Sequence, residues 1–404
     1  MATRRAFLKG AAGFGLWTGL AIPRIALAAA PVEQRFLLVI LRGGMDGLAA
    51  LPPYAEPDYA RLREGLALAP PGREHGVIDL DGRFGLHPAL ARLAPFYHRK
   101  ELLPIHAIAI GVRTRSHFDA QDLLENGAAY PRGARDGWLN RALAQLQGED
   151  RWLGLALGHA IQPVLRGPVP VASWGPARLP ASSPDLLDTL AALYGDDPLF
   201  AKVFAEGRRA EGMTSDILGG SIGMGADERR GPRQFGTLIA AAGRLLAAQD
   251  GPRVGVVEIG GWDTHYKQGC ESGRLASQLA HVSNALAKLP ELMGPAWRQT
   301  VVAVVTEFGR TVRMNGTGGT DHGTAGAAFL LGGAVAGGRV ATRWPGIGPD
   351  NLYQGRDLLP TSDMRGMFKT VLQDHFGLNR ATLNDTVFPG SAAVLGPPGP
   401  LIRT

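Results

Sequence analysis

The chain has 404 residues, 45% hydrophobic and 19% charged, enough apolar content for a large buried core, which excludes global disorder. Its 56 glycines are about double the usual share of roughly 7%, but they follow no G-x-y period, so a collagen-like rod is excluded and many tight turns are expected. The formal net charge of +6 falls to +2 once residues 1–30 are set aside, and a near-neutral remainder gives no electrostatic support for a nucleic-acid or membrane-surface partner.

Residues 1–30 read as an export signal. Arg4-Arg5-Ala6-Phe7-Leu8-Lys9 precedes a mildly apolar run over 10–22, and Ala26-Leu27-Ala28-Ala29-Ala30 supplies the small residues of a cleavage site. The apolar run is too short for a bilayer core of about 30 Å. Paired arginines before a weakly hydrophobic segment match twin-arginine export. The mature chain, 31–404, is therefore expected in the periplasm or outside the cell, with the twin-arginine machinery as a transient partner. No second segment is long and apolar enough to span a membrane.

Along the mature chain, continuous apolar runs alternate with helical patterns. The run 36–41 ends at Arg42-Gly43-Gly44, the pattern of a strand buried on both faces. A helix is expected over 87–99 and a second strand over 102–110. Ser116, with Asp119 three residues on, opens a helix through Leu124 as an N-cap. A short strand is expected at 152–157 and a long helix over 183–210, with Pro184 in its first turn. Residues 212–231 carry Gly, Ser, Met and charge without a period and read as a mobile loop or lid. Then come a helix (234–249), a strand (254–259), a helix (275–292), strands (300–305 and 327–331) and a closing helix (363–376). Residues 390–404 are Pro/Gly-rich and read as an extended tail. This alternation predicts one α/β domain over 31–404, built on a mostly parallel sheet flanked by helices.

In open α/β sheets, ligands bind beyond the carboxyl ends of the strands. Residues there are Asp46 after the first strand, Thr114 to Asp119 after the second, Asp263 and His265 after 254–259, and Glu307 and Arg310 after 300–305. A glycine-flanked loop adds Thr320-Asp321-His322. Such oxygen and nitrogen donors suit hard divalent cations and zinc. Asp263 and His265, two apart, project to one side of an extended segment and make a ligand pair. Asp321 and His322 are adjacent, so one is read as a ligand and the other as its orienter. Ser116, at a helix N-terminus beside a metal, is a candidate nucleophile. Singly, each has a bland reading: Asp46 a turn cap, Ser116 an N-cap, the histidines hydrogen-bonded interior groups, Glu307 and Arg310 an ion pair. Cys270 is the only cysteine, which excludes a disulfide framework and a cysteine cluster. Gly219-Gly220-Ser221-Ile222-Gly223 fits G-x-S-x-G formally but lacks the strand that motif requires. There is no G-x-G-x-x-G, Walker loop or H-E-x-x-H.

Taken in order, the export signal, L-R-G-G-M-D-G, R-S-H-F-D-A-Q-D, G-G-W-D-T-H, T-E-F-G-R-T and G-G-T-D-H-G-T-A-G resemble the twin-arginine-exported bacterial family called domain of unknown function 1501. That resemblance covers nearly the whole chain. It implies an alkaline phosphatase/sulfatase-like fold and a hydrolase of phosphate or sulfate esters holding one or two divalent ions, zinc, manganese or calcium. Its substrate would be an anionic small-molecule or polymer ester. By the same resemblance, Asp46, Asp263, His265 and His322 are metal ligands and Glu307 can still coordinate, while Asp321 stays a candidate ligand from its loop alone. Ser116 is the nucleophile, with Thr114 as rival, and Arg310 either holds an anionic substrate or pairs with Glu307. Phe308 stands where the superfamily often has a histidine. The alternative to a hydrolase is a non-catalytic envelope scaffold in which this site has decayed.

Overall fold

A computed structural model of the protein describes residues 32–146, 153–176, 183–218 and 232–403. The expected export signal over 1–30 and the formal G-x-S-x-G segment at 219–223 lie outside the described residues. Eight strands form the main sheet: β1 (Arg35–Leu41), β2 (Leu102–Ala109), β3 (Gly154–Leu157), β4 (Ala172–Trp174), β5 (Val254–Ile259), β6 (Thr300–Val305), β7 (Gly326–Leu331) and β8 (Ser362–Asp363). Their order is β8-β2-β7-β6-β1-β5-β3-β4. β1 pairs in parallel with both β5 and β6, as do β3 with β5 and β4, and β8 with β2. β7 runs antiparallel to β2 and β6. The sheet is thus mostly parallel with one reversed strand.

The continuous apolar sequence of β1 follows from its central position. Phe36, Leu38 and Ile40 enter one apolar layer, while Leu37, Val39 and Leu41 enter the other, and all six are at most 1% exposed. Each such side chain contributes roughly 1.5–3 kcal/mol on burial. Helix α1 (His117–Asn126) and the C-terminal α4 (Met364–Phe376) pack on the first layer through Leu123, Leu124, Met367 and Phe368. Helices α2 (Pro232–Ala247) and α3 (Arg274–Leu286) cover the second through Phe235, Ile239, Leu275 and Leu279. Among the described residues, no helix is long and apolar enough to cross a membrane.

Several boundaries differ from the sequence expectation. The pattern at 87–99 forms a 3-10 turn, Pro88–Leu93, followed by the short helix Ala94–His98. The expected helix over 183–210 is two, Pro184–Tyr194 and Pro198–Leu218. The second consumes 212–218 of the expected loop, because single glycines cost a helix only about 1 kcal/mol each; 219–231 lies outside the described residues. The segment after Gly390 has no regular element, yet it is not a free tail. Leu401 and Ile402 are buried, and Ile402 bridges Val335. The apolar pair at its end outweighs its Pro/Gly composition.

Candidate metal centre

The C-terminal edge of the parallel strands gathers four loops, and the reversed strand adds a fifth. Because β7 runs antiparallel, the segment preceding it, not following it, reaches this edge, which brings in Asp321 and His322. Gly43, with φ +125, ends β1 against the Trp262–Asp263 backbone, where a Cβ would stand 2.5 Å from the Asp263 amide nitrogen. Only glycine permits that approach.

His117, Asp263 and His322 offer ligand atoms that all lie within 4.8 Å of one another. His265 Nε2 adjoins them, 2.9 Å from His322 Nε2 and 3.0 Å from Asp263 Oδ1. Each imidazole is held from behind. His117 Nδ1 meets Glu307 Oε1 at 2.9 Å, His265 Nδ1 meets Asp321 Oδ1 at 3.0 Å, and His322 Nδ1 meets the Arg115 carbonyl at 2.9 Å. A carboxylate and a carbonyl accept only, so each Nδ1 is the donor and each Nε2 presents a lone pair inward. His117 Nε2 is buried without a hydrogen-bond partner, 3.5 Å from Asp263 Oδ2. Three nitrogen lone pairs therefore converge on a carboxylate, an arrangement that repels itself until a cation or protons enter. Outer acceptors on Nδ1 are the usual device for orienting metal-binding histidines.

The electrostatics agree with this division. The Glu307 bond raises the pKa of His117. Burial lowers that of His322. Burial opposes ionisation of Glu307, but bonds from His117, Gln121 and the Gly43 amide prevail and bring its pKa to about 2. For Asp263, burial is likewise outweighed by the Arg310 guanidinium, and its pKa falls.

Of the residues singled out by sequence, Asp263, His265 and His322 meet at one point. Glu307 and Asp321 stand one layer back as orienters. Asp46 stands apart as the N-cap of the turn Gly47–Ala50, where it accepts from the Leu48 and Ala49 amides, from Arg63 and from Gln268 Nε2. Its lone pairs are spent on buried donors, so it does not face the imidazoles. Arg310 does not pair with Glu307. Its Nη1 donates to Asp263 Oδ1 at 2.7 Å, and its other nitrogens donate to the hydroxyl and carbonyl of Thr320. Arg310 is 1% exposed, with its fork directed at protein atoms. Ser116 caps α1, its Oγ accepting the Asp119 amide at 3.5 Å, and Thr114 Oγ1 accepts the Ser116 amide. Phe308 is buried as a wall, its ring centre 4.8 Å from that of His117 and 4.9 Å from that of His322.

His117 is the donor the sequence reading missed. The available signal was its place in R-S-H-F-D, directly after the serine that drew attention. Phe118 and Tyr266, each next in chain to a site histidine, are 89% and 59% exposed.

The fold and this edge define the class: an α/β protein with a histidine-rich, cation-compatible donor set beyond the ends of a mostly parallel sheet. The chain belongs to the family described as Protein of unknown function (DUF1501), whose model matches residues 112–387. No curated protein matches it. Among solved structures, it is similar to Ps i-CgsB in complex with k-i-k-neocarrahexaose, at 11% identity and TM-score 0.36, over 74% of this chain and 66% of that one. It thus spans just under two thirds of that chain's length. It is also similar to the phosphonate monoester hydrolase of Agrobacterium radiobacter, at 13% identity and TM-score 0.40, over 86% and 74% of the two chains. A third is the C-terminal periplasmic domain of EcEptC from Escherichia coli in complex with Zn, at 9% identity and TM-score 0.38, over 75% and 74%.

Proposed function

We propose that the protein is an exported, cation-dependent hydrolase of phosphate or sulfate esters. The observation that carries this reading is the set of three imidazoles, each fixed through Nδ1 and each turning Nε2 toward Asp263. His117, His265, His322 and Asp263 would hold one divalent ion. A nitrogen-rich donor set of this kind suits zinc better than calcium, which takes oxygen ligands. When bound, such an ion supplies Lewis acidity and lowers the pKa of a nearby hydroxyl.

The chain's own residues do the rest. Glu307, Asp321 and the Arg115 carbonyl hold the three Nδ1 protons and so fix the tautomers. Arg310 anchors the Asp263 carboxylate through Oδ1, the oxygen beside His265 and His322, while Oδ2 lies on the His117 side. Ser116 is assigned as nucleophile, since it caps the ten-residue α1 directly before His117 in the chain, where the dipole favours an anionic ester. Phe118 and Tyr266 offer exposed rings to the organic part of the ester. Residues 31–404 act as one unit on this reading, and export rests on the sequence of 1–30.

The test is metal content and turnover. Protein purified without added metal is expected to carry about one zinc per chain, which His322→Ala loses. Hydrolysis of aryl phosphates or aryl sulfates is expected to fall with it. Ser116→Ala costs about 1 kcal/mol or less in stability, because its cap bond is long, so loss of turnover in that variant speaks for the hydroxyl itself. Unchanged turnover dismisses Ser116. Protein that takes up no divalent ion dismisses the hydrolase and favours the envelope scaffold.

A further inference from the structure

A single glutamine, Gln268, lies beneath the centre and touches both loops that feed it. It is 0% exposed. Its Oε1 accepts the Thr264 hydroxyl at 2.7 Å and the Thr320 hydroxyl at 2.8 Å. Its Nε2 donates to Asp46 Oδ2 at 2.8 Å. Thr264 stands between Asp263 and His265, and Thr320 immediately precedes Asp321-His322. One amide oxygen thus ties the strand-β5 loop to the loop before β7, at the residues adjoining their ligand atoms.

The other connections point the same way. Above, the two loops are laced by backbone bonds: Lys267 amide to Thr317 carbonyl, Gln268 amide to Gly318 carbonyl, and Thr320 amide to Thr264 carbonyl. Below, Asp46 fixes the Gln268 amide group in one orientation, because only its nitrogen can face a carboxylate. Asp46 is in turn held by Arg63, which is 0% exposed. Thr320 Oγ1 also accepts from Arg310 Nε, whose Nη1 holds Asp263. An unbroken chain of hydrogen bonds therefore runs from buried Arg63 through Asp46, Gln268, Thr320 and Arg310 to the partly exposed Asp263.

We propose that Gln268 is a positioning residue that clamps the Asp263–His265 loop to the Thr320–His322 loop and thereby sets the spacing of the donor atoms. The clamp itself stands on geometry; its effect on the site rests on the cation reading above. Metal ligands fixed by such outer contacts typically lose about 10–100-fold in affinity when the contact is removed.

The experiment pairs cobalt(II) titration, followed by visible absorption, with hydrogen exchange of full-length protein. Gln268→Ala is expected to bind cobalt(II) about 10–100-fold more weakly than the parent, with an altered band envelope. Amides of residues 264–268 and 317–323 are expected to lose protection together while β1, β5 and β6 keep theirs. If Gln268→Ala fails to fold, Thr264→Val carries the test, since that hydroxyl bonds to Gln268; Thr264→Ser should restore the parental spectrum. Unchanged exchange in both loops overturns the clamp. Released loops with parental cobalt affinity and spectrum overturn its role at the site. A parent that binds no cobalt(II) overturns the cation reading alone, and the clamp is then judged by exchange.

Discussion

At the residue scale, one carboxylate shows how chemistry depends on who faces it. Asp46 and Asp263 both follow strands and both sit near the same edge. Asp263 keeps a lone pair toward three imidazoles, whereas Asp46 is enclosed by Arg63, Gln268 and two helix amides. Asp46→Ala strands the buried Arg63 charge and is expected to cost about 3–5 kcal/mol, read from the shift in urea midpoint. A loss below about 1 kcal/mol, accompanied by loss of bound cation, shows instead that Asp46 is a ligand. Asp321 illustrates the reverse assignment. Its neighbour His322 presents a donor atom, while Asp321 holds His265 from behind and accepts from Asn315, so the adjacent pair divides its work between two imidazoles.

At the scale of elements, the reversed β7 decides which loop joins the site. The segment 309–311 and the segment 321–324 pair by short backbone bonds: Gly309 amide to Thr324 carbonyl, Thr311 amide to Asp321 carbonyl, and Gly323 amide to Gly309 carbonyl. This ladder carries His322 to the edge. Gly309 is essential to it, since a Cβ there would lie 1.9 Å from the Ala325 carbonyl oxygen. Gly309→Ala is expected to abolish soluble folded protein or lower its stability by several kcal/mol. Gly316→Ala, with nothing within 4 Å, is the control and should shift the unfolding midpoint by only about 0.5 kcal/mol. Similar midpoints for the two variants, read by circular dichroism, would remove the ladder from the account.

For the whole molecule, buried neutral histidines set the response to acid. His106 and His87 each accept a backbone amide at Nδ1, from Ala107 and Ala89, so neither can take a proton without losing that bond. Burial lowers His106 and His375 to about 4 and lowers His87 as well. The unfolded chain takes up protons near 6.5, the folded chain only at lower pH, about 4 for His106 and His375. Stability from these groups is therefore complete above pH 6.5 and lost as pH falls toward 4. Depression of this size in buried histidines should remove on the order of several kcal/mol of stability across that window. His117, whose pKa is raised, works in the opposite sense. Urea midpoints at pH 7 and pH 4.5 check this, and His106→Gln should flatten the profile. Equal midpoints for the parent would refute neutral burial.

What the sequence by itself determined is what local period and chain order encode. Apolar runs at 36–41, 254–259 and 300–305 form strands at the expected positions, because a strand covered on both faces must be apolar at every residue. The strand-end rule also located Asp263 and His265, since a parallel sheet sends its loops to one edge, whereas His322 was marked only by its glycine-flanked loop and reaches that edge because β7 is reversed. Only the tertiary structure decided which donors face inward. His117 escaped because nothing local separates a cap serine from the histidine after it. Asp46, Glu307 and Arg310 took their partners from residues such as Arg63, His117 and Asp263, and Gln268 had no motif at all. Their roles depend on hydrogen-bond partners 17 to 264 residues away in the chain, and such pairings exist only once the sheet has brought those segments together.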